Sequence, residues 1–213
     1  MVLGGVGRLY ESLKNRTSPR FLEETVPTLL PWDMRSTLAD MSSELRQQNS
    51  SSLLGGNWSH ARGTVRSLGS RRNKWLAFTL NVRRGEDRLD LLASSRNFAL
   101  DLAGSLGTFT VDGTVFGHID EGNQLLDRSQ RPVGRLVYQR AFTPMGSDNI
   151  TAVEIGGRMI AQVHYLSEFG DRIWTAPNLV HDTAPSLTED EAMWILAAIA
   201  MRIYWHCRTS RPT

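Results

Sequence analysis

The sequence predicts an α+β fold: a curled antiparallel β-sheet, barrel or sandwich, around a buried C-terminal hydrophobic helix, with a helical extension at the N-terminus. Short apolar runs separated by turn signals recur from Trp58 to Trp174. Near the C-terminus, an uninterrupted apolar run, Ala192–Met201, follows a helix-start signal. Strand candidates spaced roughly every 8–12 residues argue for a barrel or sandwich and against a parallel βαβ sheet.

Residues 1–46 read as helical. Ser18-Pro19 has the form of an N-cap followed by proline at the first helical position, and Pro27 and Pro31 then break the pattern. After Trp32-Asp33, the residues Met34, Leu38, Met41 and Leu45 fall on one helical face. Its opposite face mixes Arg35, Asp40, Glu44 and Arg46, which suits docking on the main domain better than a membrane surface. Gln47–Asn57, rich in Ser, Asn and Gly without periodicity, reads as a linker. The expected division is therefore 1–57 as helical extension and linker, and 58–213 as the barrel.

Within the barrel region, Trp75–Val82 is the first strong strand. Phe98–Leu102 alternates, and Thr108–Val111 meets Asp112-Gly113, the strongest hairpin signal in the chain. Thr114–Ile119, Asn123–Asp127 and Val133–Gln139 follow. Ile150–Ile155 turns at Gly156-Gly157 into Arg158–Leu166, and Asp171–Thr175 completes the set. Glu86, Asp87 and Asp90 read as a solvated acidic loop.

The last element is a helix. Thr188 and Glu191 form a capping box, with acidic residues where the helix dipole favours them. A helix apolar on every side must be enclosed on every side, and Ala192–Met201 is half the length a membrane span requires. Burial of these side chains contributes on the order of 10–20 kcal/mol before conformational entropy is subtracted. A curled sheet is the natural enclosure, because each strand turns one apolar face inward.

The net charge of the 213 residues is +2, too small to imply nucleic acid or membrane by itself. Residues 1–74 carry 11 Lys+Arg against 6 Asp+Glu, and the remainder carries 13 against 16. The front third is thus basic. The single cysteine, Cys207, excludes an internal disulfide and a cysteine-built zinc cluster, and fits a reducing cytosol. No secretory h-region is visible in Met1–Tyr10. His60, His118, His164, His181 and His206 include no pair at metal-binding spacing. Neither a nucleophile elbow nor a phosphate-binding glycine loop occurs, so no catalytic residue, metal or cofactor is expected.

Two segments resemble the Tubby C-terminal-like superfamily, which includes the phospholipid scramblases and the LURP-one-related proteins. One is GTVFGHIDEGNQLLDRSQRPVGRLVYQ, Gly113–Gln139, with Gly117 mid-strand and a Pro-Val-Gly-Arg-Leu return. The other is LTEDEAMWILAAIAMRIYW, Leu187–Trp205. The resemblance implies a closed barrel of roughly twelve strands threaded by the C-terminal helix. It also implies a binding or regulatory role without chemistry, with anionic lipid as the expected ligand class.

The residues that fit such a ligand are Arg71, Arg72 and Lys74, with Arg83 and Arg84, which bracket the strand Trp75–Val82. Clustered cations attract phosphate headgroups electrostatically. Trp58 and Trp75 lie nearby for stacking, yet Trp75 opens an apolar strand and reads as core, so nucleic acid is disfavoured. The expected location is cytoplasmic, peripheral to a membrane. The alternative is an interaction subunit that engages a partner protein through residues 1–46.

Overall fold

The computed structural model describes residues 21, 24–51, 58–68, 70–83, 85–143, 146–164, 167–168 and 178–209. Ser18-Pro19 and Asp171–Thr175 lie outside them. Among the described residues, thirteen strands form one sheet. They are β1 (Met41–Ser51), β2 (Trp58–Ser67), β3 (Ser70–Arg83), β4 (Glu86–Leu92), β5 (Asn97–Ala103), β6 (Leu106–Val111) and β7 (Thr114–Asp120). Then follow β8 (Gln124–Asp127), β9 (Pro132–Thr143), β10 (Gly146–Ile155), β11 (Arg158–His164), β12 (Ser167–Glu168) and β13 (Val180–His181). The helices α1 (Met34–Asp40) and α2 (Glu189–Thr209) accompany them.

From β1 to β11 each strand pairs antiparallel with the next. The predicted turns behave as expected: Asp112 and Gly113 adopt φ of 49° and 81°, and Gly156 and Gly157 adopt 57° and 77°. Left-handed conformation at both central residues matches the twist of a two-residue hairpin. The ladder itself is open. β12 pairs parallel with β1 at one edge, β13 pairs with β11 at the other, and these two edges are not paired together. One residue spans the seam: the Leu179 N–H donates to the Met41 carbonyl at 2.7 Å, and the His164 N–H donates to the Leu179 carbonyl at 2.8 Å.

α2 packs against β4 and β5 on one side and β10 and β11 on another, so the sheet curls around it. Every residue from Ala192 to Tyr204 is buried, Arg202 included. The capping box forms as the sequence predicts. The Glu191 N–H donates to Thr188 Oγ1 at 3.1 Å, and the Thr188 N–H donates to Glu191 Oε2 at 2.9 Å. The Thr188 amide, with Arg158 Nη2 at 2.6 Å, holds the Glu191 carboxyl below its ordinary pKa.

The two glycines of the resemblance segment are positions of close approach. A Cβ on Gly117 would strike the Trp194 ring of α2 and the Leu126 carbonyl. On Gly134 it would overlap the Glu154 carbonyl of the neighbouring strand and lie 2.7 Å from Ile155 Cδ1.

Two expectations are corrected. The helix predicted through Leu45 ends at Asp40, and residues 41–51, assigned partly to a linker, are strand β1 of the main sheet. Met41 and Leu45 are four apart, a spacing compatible with a helix face and with one face of a strand. Pairing with β2 decides between them. The sheet therefore begins before the expected boundary at 57. Second, Glu86, Asp87 and Asp90 belong to β4. Leu89 and Leu91 point inward there, and Asp90, 2% exposed, is held by Arg88 Nε at 2.8 Å. The outer face of this region is covered: Phe21, Val26 and Leu29 pack on Ala77 and Leu92. α1 docks through Leu38, and Trp75 Nε1 donates to Asp40 Oδ2 at 2.9 Å.

At the far end of α2, the Tyr204 hydroxyl donates to Asp87 Oδ2 at 2.8 Å. Burial and this carboxylate raise its pKa from 10.0 to about 12. The folded state thus holds the phenolic proton more tightly than the unfolded chain. Its stabilising contribution is whole below pH 10.0 and fades as the pH rises towards about 12. Tyr204→Phe is expected to be less sensitive to alkali over that interval than the unmodified chain. Urea unfolding at stepped pH reads the difference, and parallel curves would remove this bond from the account.

Candidate functional site

An antiparallel meander places its turns alternately at two ends. The β2–β3, β4–β5, β6–β7, β8–β9 and β10–β11 connections share one end, here the upper one. The N-terminus of α2 lies there too, as the contact of Arg158 with Glu191 requires. The β3–β4, β5–β6 and β7–β8 turns and the C-terminal turn of α2 share the lower end, where Arg208 Nε is 3.6 Å from Asp87.

This parity divides the basic cluster. Arg71, Arg72 and Lys74 stand at the upper end of β3, whereas Arg83 ends it at the lower. With a rise of about 3.3 Å per residue, Arg83 is about 30 Å from Lys74 and about 40 Å from Arg71 along the strand. They cannot form one site. Arg84 and the side chains of Arg71 and Arg83 lie outside the described residues. Arg72 is exposed and carries no ion pair among the described residues. Lys74 is half-buried, and its Nζ donates to Thr28 Oγ1 at 3.3 Å.

The upper end is partly stopped by aromatic rings. Trp32 lies over Phe98 at 5.3 Å between centroids. The series continues through Phe109 and Phe116 to Trp194, 4.9 Å from Phe116. Beyond Phe116 and Trp194 the end opens as a recess of about 530 Å³. Its floor is Val111, Val115, Phe116, Val133, Met193 and Trp194. The polar lining is Arg96, Asp127, Arg128 and Arg131 from the strands and their connections, with Glu189 and Asp190 from the first turn of α2.

Two of the arginines are fastened. Arg96 Nε lies 2.7 Å from Asp112, and Arg131 Nη2 lies 3.0 Å from Asp127. Asp127 also accepts from the backbone N–H groups of Arg131 at 3.0 Å and Ser129 at 2.8 Å, which shapes the β8–β9 turn. These donors, the Arg131 amide first, lower the Asp127 pKa. Arg128, Glu189 and Asp190 are exposed and make no side-chain hydrogen bond or ion pair among the described residues.

None of the recess residues belongs to the predicted site. They span positions 96 to 194, and no local pattern announces that turn parity and the α2 cap gather them. The strand-borne histidines serve other ends. Registers align His60, Asn81, Arg88, Asp101, Thr108 and His118 as one row across β2 to β7. His60 bonds Asn81 at 2.9 Å, and His118 bonds Thr108 at 3.2 Å. His164 stacks on His181 at 4.2 Å. Among the described residues no group of three His, Cys, Asp or Glu side chains could hold a metal ion, and no helix is long and apolar enough to cross a membrane. In comparisons with protein families, curated proteins and solved structures, the chain matches none.

Proposed function

We propose that this chain is a non-catalytic binding protein with a Tubby-like barrel, closed around α2, that engages anionic phospholipid at its upper end through Arg72 and Lys74, with Arg71 beside them. The observation that carries the reading is the burial of α2 on every side, which fills the interior and leaves the outer surface for ligands. The Leu179 backbone bridge between β1 and β11 supports closure of the barrel. Exposed Arg72 supports headgroup binding, since guanidinium matches phosphate bidentately.

Vesicle flotation tests it. At low salt the chain is expected to float with vesicles containing anionic lipid, to stay behind with purely zwitterionic vesicles, and to release as salt is added. Each cation removed near a charged surface weakens binding by about 1 kcal/mol, roughly fivefold. Arg72→Ala with Lys74→Ala should therefore bind on the order of 20-fold more weakly, while Arg83→Ala, at the lower end, should bind as the unmodified chain does. Equal losses from both ends, or no flotation at low salt, would sink the proposal.

A further inference from the structure

The upper recess has a charge pattern distinct from the basic corner at Arg72. Its lining holds three arginines and three carboxylates, so it is neutral overall. Asp127 is paired with Arg131, and the charges unpaired among the described residues come from two elements: Arg128 from the β8–β9 connection, and Glu189 and Asp190 from α2. The same lining is apolar elsewhere and includes Val115, 39% exposed. A volume of about 530 Å³ falls in the range of small-molecule sites, which pair an apolar lining with a few placed polar groups.

A simple anion would meet two free carboxylates here, and a simple cation would meet Arg128. A ligand bearing both charges satisfies both kinds of side chain. We propose that the recess binds a small zwitterion with an apolar body: its ammonium lies toward Glu189 and Asp190, its carboxylate or phosphate toward Arg128, and its apolar part on Phe116, Val115 and Met193. Two sources carry this chemistry, an apolar amino acid and the phosphocholine end of a single-chain amphiphile. The inference does not rest on membrane binding, because both are soluble as monomers.

Calorimetric titration of the full chain with L-phenylalanine and with an alkylphosphocholine below its micellar concentration tests it. Binding of one probe, or of both, supports the proposal and identifies the source. The matching single-charge compounds, an alkyl phosphate and an alkyl trimethylammonium, should bind at least tenfold more weakly than the alkylphosphocholine. For L-phenylalanine the comparison compounds are phenethylamine and 3-phenylpropionate. Arg128→Gln and the pair Glu189→Gln with Asp190→Asn should each weaken the zwitterion at least fivefold with thermal stability retained. Arg72→Ala should leave it unchanged. Absence of binding by both zwitterions, or equal binding by a single-charge compound, overturns the assignment, and neither result touches the vesicle experiment.

Discussion

Ile199→Asp is expected to abolish cooperative folding. Ile199 is 0% exposed at the middle of α2, with buried residues on every side of the helix. The substitution removes an aliphatic side chain from the centre of the core, at about 2–5 kcal/mol. It also places there a carboxylate that must either stay charged without solvent or take up a proton. The sum exceeds about 5 kcal/mol, comparable with the whole stability of an ordinary domain. Purified Ile199→Asp should give no sigmoidal thermal transition. Trp205→Ala on the same helix, where Trp205 is 47% exposed, should cost about 1 kcal/mol at most. A native-like transition in Ile199→Asp would show that α2 is not enclosed and would take the proposed function with it.

Gly134→Ala is expected to have the second largest effect, although it adds a single methyl group. Gly134 sits on β9 opposite Ile155 of β10, and the added Cβ would overlap the Glu154 carbonyl oxygen. A carbonyl within a paired strand cannot rotate aside as a side chain would, so the ladder itself must part. Overpacking of this kind costs about 3 kcal/mol. In a chain of this size that lowers the melting temperature by roughly 6–12 °C. Gly117→Ala should follow, because its Cβ meets Trp194 Cζ2 at 2.8 Å as well as the Leu126 carbonyl. Gly122→Ala is the control: its nearest neighbour is the Asp120 carboxylate at 3.3 Å, which can give way. Equal melting temperatures for all three would mean that these glycines are not contact positions.

Elements written in a short stretch were legible. The hairpin at Asp112-Gly113 needs only residues that accept positive φ, and both adopt it. The capping box at Thr188–Glu191 needs two side chains three residues apart. The enclosure of Ala192–Met201 follows from composition alone, because an apolar surface on all sides has no stable position in water.

What remained hidden depends on partners far along the chain. Met41–Leu45 fits a helix or a strand, and β2 supplies the hydrogen bonds that choose the strand. Glu86–Leu92 reads as acidic and exposed until Arg88 is placed between Asp90 and Asp101 and the segment around Leu29 covers the outer face. That Arg71-Arg72 and Arg83 stand at opposite ends of a strand was, by contrast, already legible, because an extended segment separates its own flanks. The sequence by itself determined that an apolar helix must be enclosed, since burial is a demand of the residues themselves. Only the tertiary structure decided which charges share a site, because turn parity and strand register, not neighbourhood along the chain, bring Arg128 and Asp190 to one recess.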